Sequence, residues 1–198
     1  FFRSYGPMDG IKRDLWEGGL RVPCLVYAPG IIKKNHSSDF PSQFHDWMAT
    51  FADMAGVPVP MRSTGVSLLP LLRGEEDRQP FGTIYSEYNF GGGMAYYNDY
   101  AANKRNRPRG EQQVIYFRAQ DGRFLKAIRT GIKTGQEDFE IYDTEKDPAE
   151  TRNLAAGMPE MQEQLRAAVL QNRRAFGYAH DRAAGRRNNG ISGARCYD

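Results

Sequence analysis

The sequence predicts an α/β chain: a strand-and-helix layer over residues 1–74, an α+β subdomain over 75–176 and a polar tail over 177–198. Three observations carry this. A short apolar run closed by Pro-Gly, LRVPCLVYAPG (20–30), precedes a stretch with helical apolar spacing (44–55), the rhythm of an α/β layer. Several short runs of strand character lie between 81 and 143, separated by turn residues. A single amphipathic stretch from about residue 159 follows them.

Each element has a local cause. In LRVPCLVYAPG the length of the run and its Val, Leu and Tyr content predict a buried strand at 22–28 with a turn after it. Cys24 within it reads as a small buried hydrophobe. Pro41 suits the first turn of a helix. Phe44, Trp47, Met48, Phe51, Ala52 and Ala55 then recur at spacings of three and four, which makes one apolar face. Gly56 stands where a left-handed cap ends helices. GVSLLPLLRGE (65–75) reads as a short helical turn interrupted by Pro70, and FGTIYSEYNF (81–90) as a strand. VIYFRAQDGRFLKAIRTG (114–131) reads as a hairpin turning at Gln120-Asp121-Gly122, and FEIYD (139–143) as a further strand. Asp143, Asp147 and Asn153 have the character of turn and capping residues. Met161, Leu165, Ala168, Val169 and Phe176 mark the buried stripe of a helix that starts near Pro159. Between the strands, residues 91–113 form a loop rich in Tyr, Asn and Arg; such length in a compact domain goes with function or disorder.

Composition narrows the partners. With 40% hydrophobic and 26% charged residues, the 198-residue chain can bury a core. Its 27 basic side chains against 24 acidic ones leave a charge of only +3, which argues against nucleic acid. Two cysteines are too few for a disulfide framework. No apolar run reaches the length of a membrane span, and no signal peptide opens the sequence.

Most of the chemical content lies in residues 9–23, DGIKRDLWEGGLRVP. Gly18 and Gly19 have no side chains, which gives the backbone a free path or permits close approach of another group. Lys12 and Arg13 precede the pair, and Arg21 and Pro23 follow it. The stretch therefore reads as a positioned cationic loop feeding a buried strand. Glu17 and Arg21 read as a structural pair. Taken alone, Lys12 is a solvated surface charge. Arg13 either faces an anionic substrate bidentately or plays a structural part. His36 and His45 read as exposed loop and helix residues.

GIKRDLWEGGLRVPCLVYAPG resembles a segment of the type I sulfatases, the formylglycine-dependent sulfuric ester hydrolases, of arylsulfatase type. FADMAGVPVP with GVSLLPLLRG is similar to the family's next landmark, and IYDTEKDPAETRNLA to its C-terminal signature. The three landmarks occur in family order and cover most of residues 5–176. The resemblance implies the C-terminal part of an alkaline-phosphatase-like sandwich, in which 22–28 belongs to the large sheet and the antiparallel strands and last helix form a small subdomain. It implies a formylglycine hydrate that attacks sulfur, and a divalent cation, usually calcium, that binds the sulfate oxygens. Lys12 matches the catalytic, sulfate-contacting lysine of the family. Removing such a fixed donor raises a barrier by about 3 kcal/mol. Arg13 is a candidate substrate-binding residue by its planar fork, and the resemblance makes Glu87 and Asn89 candidates as sugar or leaving-group contacts. Tyr96, Tyr97, Arg105 and Arg107 of the long loop are candidates to stack on a sugar or pair with further sulfates.

The sequence also departs from the family pattern. The nucleophile motif carries Pro or Ala two residues after Cys or Ser and Arg four after it; Cys24 is followed by LVYA and Cys196 by YD. The paired acidic metal motifs are absent too. Calcium ligands and nucleophile are therefore expected outside this chain, in a preceding N-terminal sulfatase segment, and the chain alone is expected to have no turnover. Joined to that segment, it is expected to hydrolyse sulfate monoesters of a sulfated small molecule or saccharide, in the periplasm or the extracellular space. Two other readings stay open: a phosphomonoesterase or phosphodiesterase of the same superfamily, and a non-catalytic sugar-binding fragment that uses the 91–113 loop.

Overall fold

The computed structural model describes residues 6–61, 63–75, 84–89, 101, 104, 107 and 110–172. In chain order its elements are the single turn α1 (Glu17–Leu20), α2 (Asp46–Met54), α3 (Leu69–Arg73), β1 (Ile84–Asn89), β2 (Glu111–Arg118), β3 (Phe124–Thr130), β4 (Glu140–Tyr142), a 3₁₀ turn (Ala155–Gly157) and α4 (Met161–Asn172). Two compact units result: Phe1–Val22 with Tyr85–Asp198, and Pro23–Ile84. The units are thus drawn differently from the expected segments 1–74 and 75–176, because the cationic loop groups with the strands.

The first unit is built on a sheet of order β1-β2-β3-β4. The β2–β3 hairpin pairs Gln112 with Thr130 through to Arg118 with Phe124. It turns at 119–123, with Gly122 at φ 84°, as the Gln-Asp-Gly signal predicts. β4 pairs with β3 from Lys126↔Tyr142 to Ile128↔Glu140. Alternation along the strands gives the sheet two faces. On one, Ile115, Leu125, Ala127 and Ile141 pack with Leu165 and Val169 of α4, two residues of the predicted stripe; Phe176 lies outside the described residues. Full burial of a side chain such as Leu165 contributes about 1.5–3 kcal/mol. Gln162 fixes where α4 docks: its amide accepts from the Phe139 N–H at 2.8 Å and donates to the Phe139 carbonyl at 2.9 Å.

On the other face Val114, Ile128 and Tyr142 pack with Leu15 and Trp16 of the loop before β1. Trp16 meets Tyr142 edge-on, with ring centroids 5.9 Å apart. The loop reaches this position by folding tightly on itself: the Gly18 N–H donates to the Asp9 carbonyl at 2.6 Å. A Cβ on Gly18 would lie 2.6 Å from the carbonyl oxygens of Asp9 and Gly10, and one on Gly19 would collide with those of Asp14 and Ile11. The close approach expected of the glycine pair is therefore an approach to the loop's own backbone.

In the second unit two expectations are corrected. Residues 22–28 form no strand, and Cys24 is exposed rather than buried. Leu25 is 99% and Tyr27 90% exposed. No strand among the described residues runs beside this segment to give it a ladder. The helix forms as α2, and Gly56 caps it at φ 66°, but the opposite face is buried. Phe44, Met48 and Phe51 are exposed, while Asp46, Ala49 and Thr50 are buried with Ala52. Hydrogen bonds decide this. Asp46 accepts from the N–H groups of Gln43 at 2.7 Å and Val66 at 3.0 Å, and the Thr50 hydroxyl accepts from the Leu68 N–H at 2.9 Å. Segment 63–68 thus lies along the polar face of α2. Pro70 sits in the first turn of α3, where it starts the helix instead of interrupting it.

Two stability predictions follow from these contacts. Glu137 gathers the N–H groups of Lys133, Thr134 and Gly135 between β3 and β4. Desolvation works against its charge, but these backbone donors outweigh it and lower its pKa from 4.5 to about 2. A depressed carboxylate stabilises the fold above its ordinary pKa and loses that contribution as pH falls through the folded value. Glu137→Gln should therefore lower the melting temperature at pH 7, with the gap to the parent closing between pH 4.5 and about 2; a gap independent of pH would contradict this. Gly19→Ala should lose about 1–3 kcal/mol in urea unfolding through overpacking, whereas Gly157→Ala, with open space around it, should stay within about 0.5 kcal/mol. Equal effects at the two positions would contradict the close crossing of the loop.

Candidate functional site

Lys12 and Arg13 occupy the middle of a turn over residues 11–14. The Asp14 N–H donates to the Ile11 carbonyl at 2.9 Å, and the Asp14 carboxylate accepts from the Ile11 N–H at 3.1 Å. Arg13 takes φ 77°, a left-handed conformation that costs a residue with a Cβ about 1–2 kcal/mol. The Lys12 side chain is exposed and has no carboxylate paired with it among the described residues. Nothing on Lys12 itself holds it; the loop around it does.

That loop is fastened to the sheet by a buried charge cluster. Lys126, on the inner strand β3, places its Nζ 3.0 Å from Glu17 Oε1 and 2.7 Å from Glu150 Oε1. The second contact is an ion pair and not an aligned hydrogen bond. Glu150 Oε2 accepts from the backbone N–H of Glu17 at 2.9 Å. Glu17 also accepts from the Tyr116 hydroxyl and, at 2.6 Å, from Arg21 Nε, the pair expected from sequence. Lys104 is fully buried: its Nζ lies 3.5 Å from Asp9, 3.8 Å from Glu150 and 4.5 Å from the centre of the Trp16 ring, and it donates to the Ala149 carbonyl at 2.5 Å. Gln112 completes the attachment, accepting from the Leu15 N–H at 3.3 Å and donating to the Arg13 carbonyl at 3.4 Å.

Three cations, Arg21, Lys104 and Lys126, thus face three carboxylates, Asp9, Glu17 and Glu150. Removing one partner of a buried pair costs about 3–5 kcal/mol, because the other charge is left uncompensated. Burial opposes the charge on Glu17, but Lys126, Tyr116 and Arg21 outweigh it and its pKa falls below the ordinary carboxylate value. In Glu150 burial wins and the pKa rises. Burial likewise lowers Lys104, and burial with the Glu17 charge raises Tyr116.

The turn after β4 presents Glu150. Asp147 accepts from the N–H groups of Thr151 and Arg152, and Asn153 from those of Ile141 and Ala155, in the turn roles their sequence positions predict. Glu150 itself has φ 53°. Glu17 of the first sequence landmark and Glu150 of the C-terminal signature are therefore neighbours, joined through Lys126.

The other candidates sit elsewhere. Glu87 and Asn89 are half-buried on β1, and Glu87 accepts from the Tyr85 hydroxyl at 2.5 Å. Alternation puts both on the side of Tyr85, which packs with the α4 face, whereas Lys12 belongs to the loop on the opposite face. Arg107 forks onto the Glu140 carboxylate and lies 5.9 Å from the Trp16 ring centre, so it braces the loop rather than reaching outward. Tyr96, Tyr97, Arg105 and the tail lie outside the described residues. His45 is exposed beside Gln43, and His36 is exposed in its loop. Sequence reasoning missed Lys126, Glu150, Lys104 and Tyr116. The available signal was a lysine in the middle of FLKAIRT, at a register position shared with apolar Phe124 and Ile128.

Among the described residues no group of three or more His, Cys, Asp or Glu could hold a metal ion; the clustered carboxylates are already committed to lysines. The described residues thus do not fit the calcium that the resemblance implies.

The family described as N-sulphoglucosamine sulphohydrolase, C-terminal, matches residues 5–175. A sulfatase of Formosa agariphila is 30% identical over 182 residues, 84% of this chain and 30% of its own length. An N-acetylglucosamine-6-O-sulfatase of Bacteroides thetaiotaomicron is 29% identical over 78% of this chain and 24% of its own length. A protein solved in complex with its substrate, D-glucosamine-2-N,6-O-disulfate, is 26% identical at a TM-score of 0.40, over 64% of this chain and 23% of its own. The chain spans less than a third of the length of these relatives. With 5–175 matched in one stretch, and two of the resembling landmarks meeting around Lys126, the chain belongs to the N-sulphoglucosamine sulphohydrolase C-terminal family of sulfatases.

Proposed function

We infer that this chain is the C-terminal part of a sulfuric ester hydrolase that acts on sulfate monoesters of a sulfated saccharide. The observation that carries the reading is the family match over residues 5–175, which includes the ordered loop around Lys12. An exposed ammonium on a turn closed by hydrogen bonds is suited to a sulfate oxygen, since a donor fixed in advance need not reorganise as charge develops in the transition state. Arg13, beside it, supplies a planar fork for a second oxygen; Glu87 and Asn89 are the weaker candidates for the saccharide.

Formylglycine and calcium belong, in this reading, to the N-terminal part that the relatives have and this chain does not span. The uncovered apolar side chains of the second unit, among them Leu25, Tyr27, Phe44 and Phe51, support the same reading, as surface that such a part would cover. Among the described residues no helix is long and apolar enough to cross a membrane. A periplasmic or extracellular location accompanies the proposal.

The test is sulfate release from glucosamine 6-O-sulfate and p-nitrophenyl sulfate by the protein that carries this chain with its N-terminal part, with phosphate release from p-nitrophenyl phosphate measured alongside. Lys12→Ala should lower kcat/KM for the sulfate ester about 100-fold or more. Full activity in Lys12→Ala would remove Lys12 from the mechanism. Faster turnover of the phosphate ester would move the protein to the phosphatase branch.

A further inference from the structure

We propose that Lys126 and Glu150 are positioning residues for Lys12, acting through Glu17 to fix the register of the loop on the sheet. This rests on the sulfatase reading above. The Asp14 carboxylate closes the Lys12 turn on the Ile11 N–H, and the contacts of residues 9–17 with their surroundings place that turn on the sheet. Those contacts include Glu17 on Lys126 and Tyr116, the Glu17 N–H on Glu150, Asp9 on Lys104 and on the Ala101 N–H, and Leu15 and Arg13 on Gln112. Lys126 joins Glu17 to Glu150, at 3.0 and 2.7 Å, and Lys104 joins Asp9 to the same Glu150 at the longer distances of 3.5 and 3.8 Å.

The chemistry of the grip points to geometry rather than strength. A buried ion pair is often no more stabilising than apolar side chains of the same volume. Leu15 and Trp16 already supply apolar attachment on this face. An apolar contact alone tolerates sliding and rotation, whereas an ammonium between two carboxylates, one of them also receiving a backbone N–H, has a single arrangement. Glu150 holds a left-handed backbone while wholly buried; strained conformations of this kind persist where the surroundings over-determine them, and they cluster at working sites. The cost of burying Lys126 and Glu150 is thus accounted for by the precision they give to a turn whose tip is Lys12.

The experiment is a double-mutant cycle in the protein that carries this chain with its N-terminal part, with kcat and KM read from sulfate release and the melting temperature measured for every variant. Lys126→Met should lower kcat/KM about tenfold in the parent, mainly in kcat, and less than about twofold in Lys12→Ala. The same fold-loss in both backgrounds, or no loss in the parent, would overturn the proposal while leaving the sulfatase reading intact. Tyr116→Phe keeps every charge and decides the matter if Lys126→Met does not fold. It should cost about threefold in the parent and nothing further in Lys12→Ala, and equal losses would overturn the proposal. Lys12→Ala as active as the parent would overturn the underlying reading and the proposal with it.

Discussion

One buried ammonium, Lys126 between Glu17 and Glu150, is the interaction on which the first unit's second face depends. Charges this deep are tolerated only when each is paired and the remaining lone pairs are used. The cluster pairs each charge and adds a Tyr hydroxyl, an Arg, a backbone N–H and a second lysine over an indole ring, while Glu150 Oε1 has the ion pair with Lys126 alone. Sequence separation makes the arrangement informative, since residues 17, 104, 126 and 150 come from four segments that meet only when the sheet, the turn after β4 and the cationic loop have all formed.

The two faces of the sheet are therefore used differently. The α4 face is an ordinary apolar interface in which Leu and Val meet Ile and Ala. The loop face mixes an aromatic contact with fixed charge, and the mixture gives a short, glycine-crossed loop a defined place. A loop of this kind cannot rely on its own hydrogen-bond ladder, because α1 is a single turn, and isolated turns are unstable in water. Tertiary contact supplies what local propensity does not, and the exposed ends of Lys12 and Arg13 inherit the resulting order.

Much of this architecture is legible in the residues. The β2–β3 hairpin follows from a Gln-Asp-Gly turn between alternating runs, and α4 from a periodic stripe after Pro159. Asp147 and Asn153 follow from their turn chemistry, and the Glu17–Arg21 pair from spacing of i and i+4. What escaped the sequence has a physical reason in each case. Residues 22–28 look like a strand because they are apolar, but apolarity specifies burial and not a partner strand. Apolar spacing marks a stripe on α2 but not what covers it, and Asp46 and Thr50 offer hydrogen bonds that recruit residues 63–68 to the opposite side. Lys126 passed for one more strand residue, because no local pattern tells a solvated lysine from one that two distant carboxylates neutralise. Lys104 and Arg107, in the loop expected to face a sugar, are instead drawn inward by Trp16, Glu150 and Glu140.

Hydrogen exchange resolved to single amides tests most directly whether the loop is part of the sheet's folded unit. If the cluster binds them together, the amides of Leu15, Glu17 and Gly18, bonded to Gln112, Glu150 and Asp9, should exchange within about tenfold of those of Val114 and Ile128, since residues of one cooperative unit open together. Loop amides that exchange at the rate of an open chain, while the strands stay protected, would mean that the charges do not hold the loop and that the account is wrong.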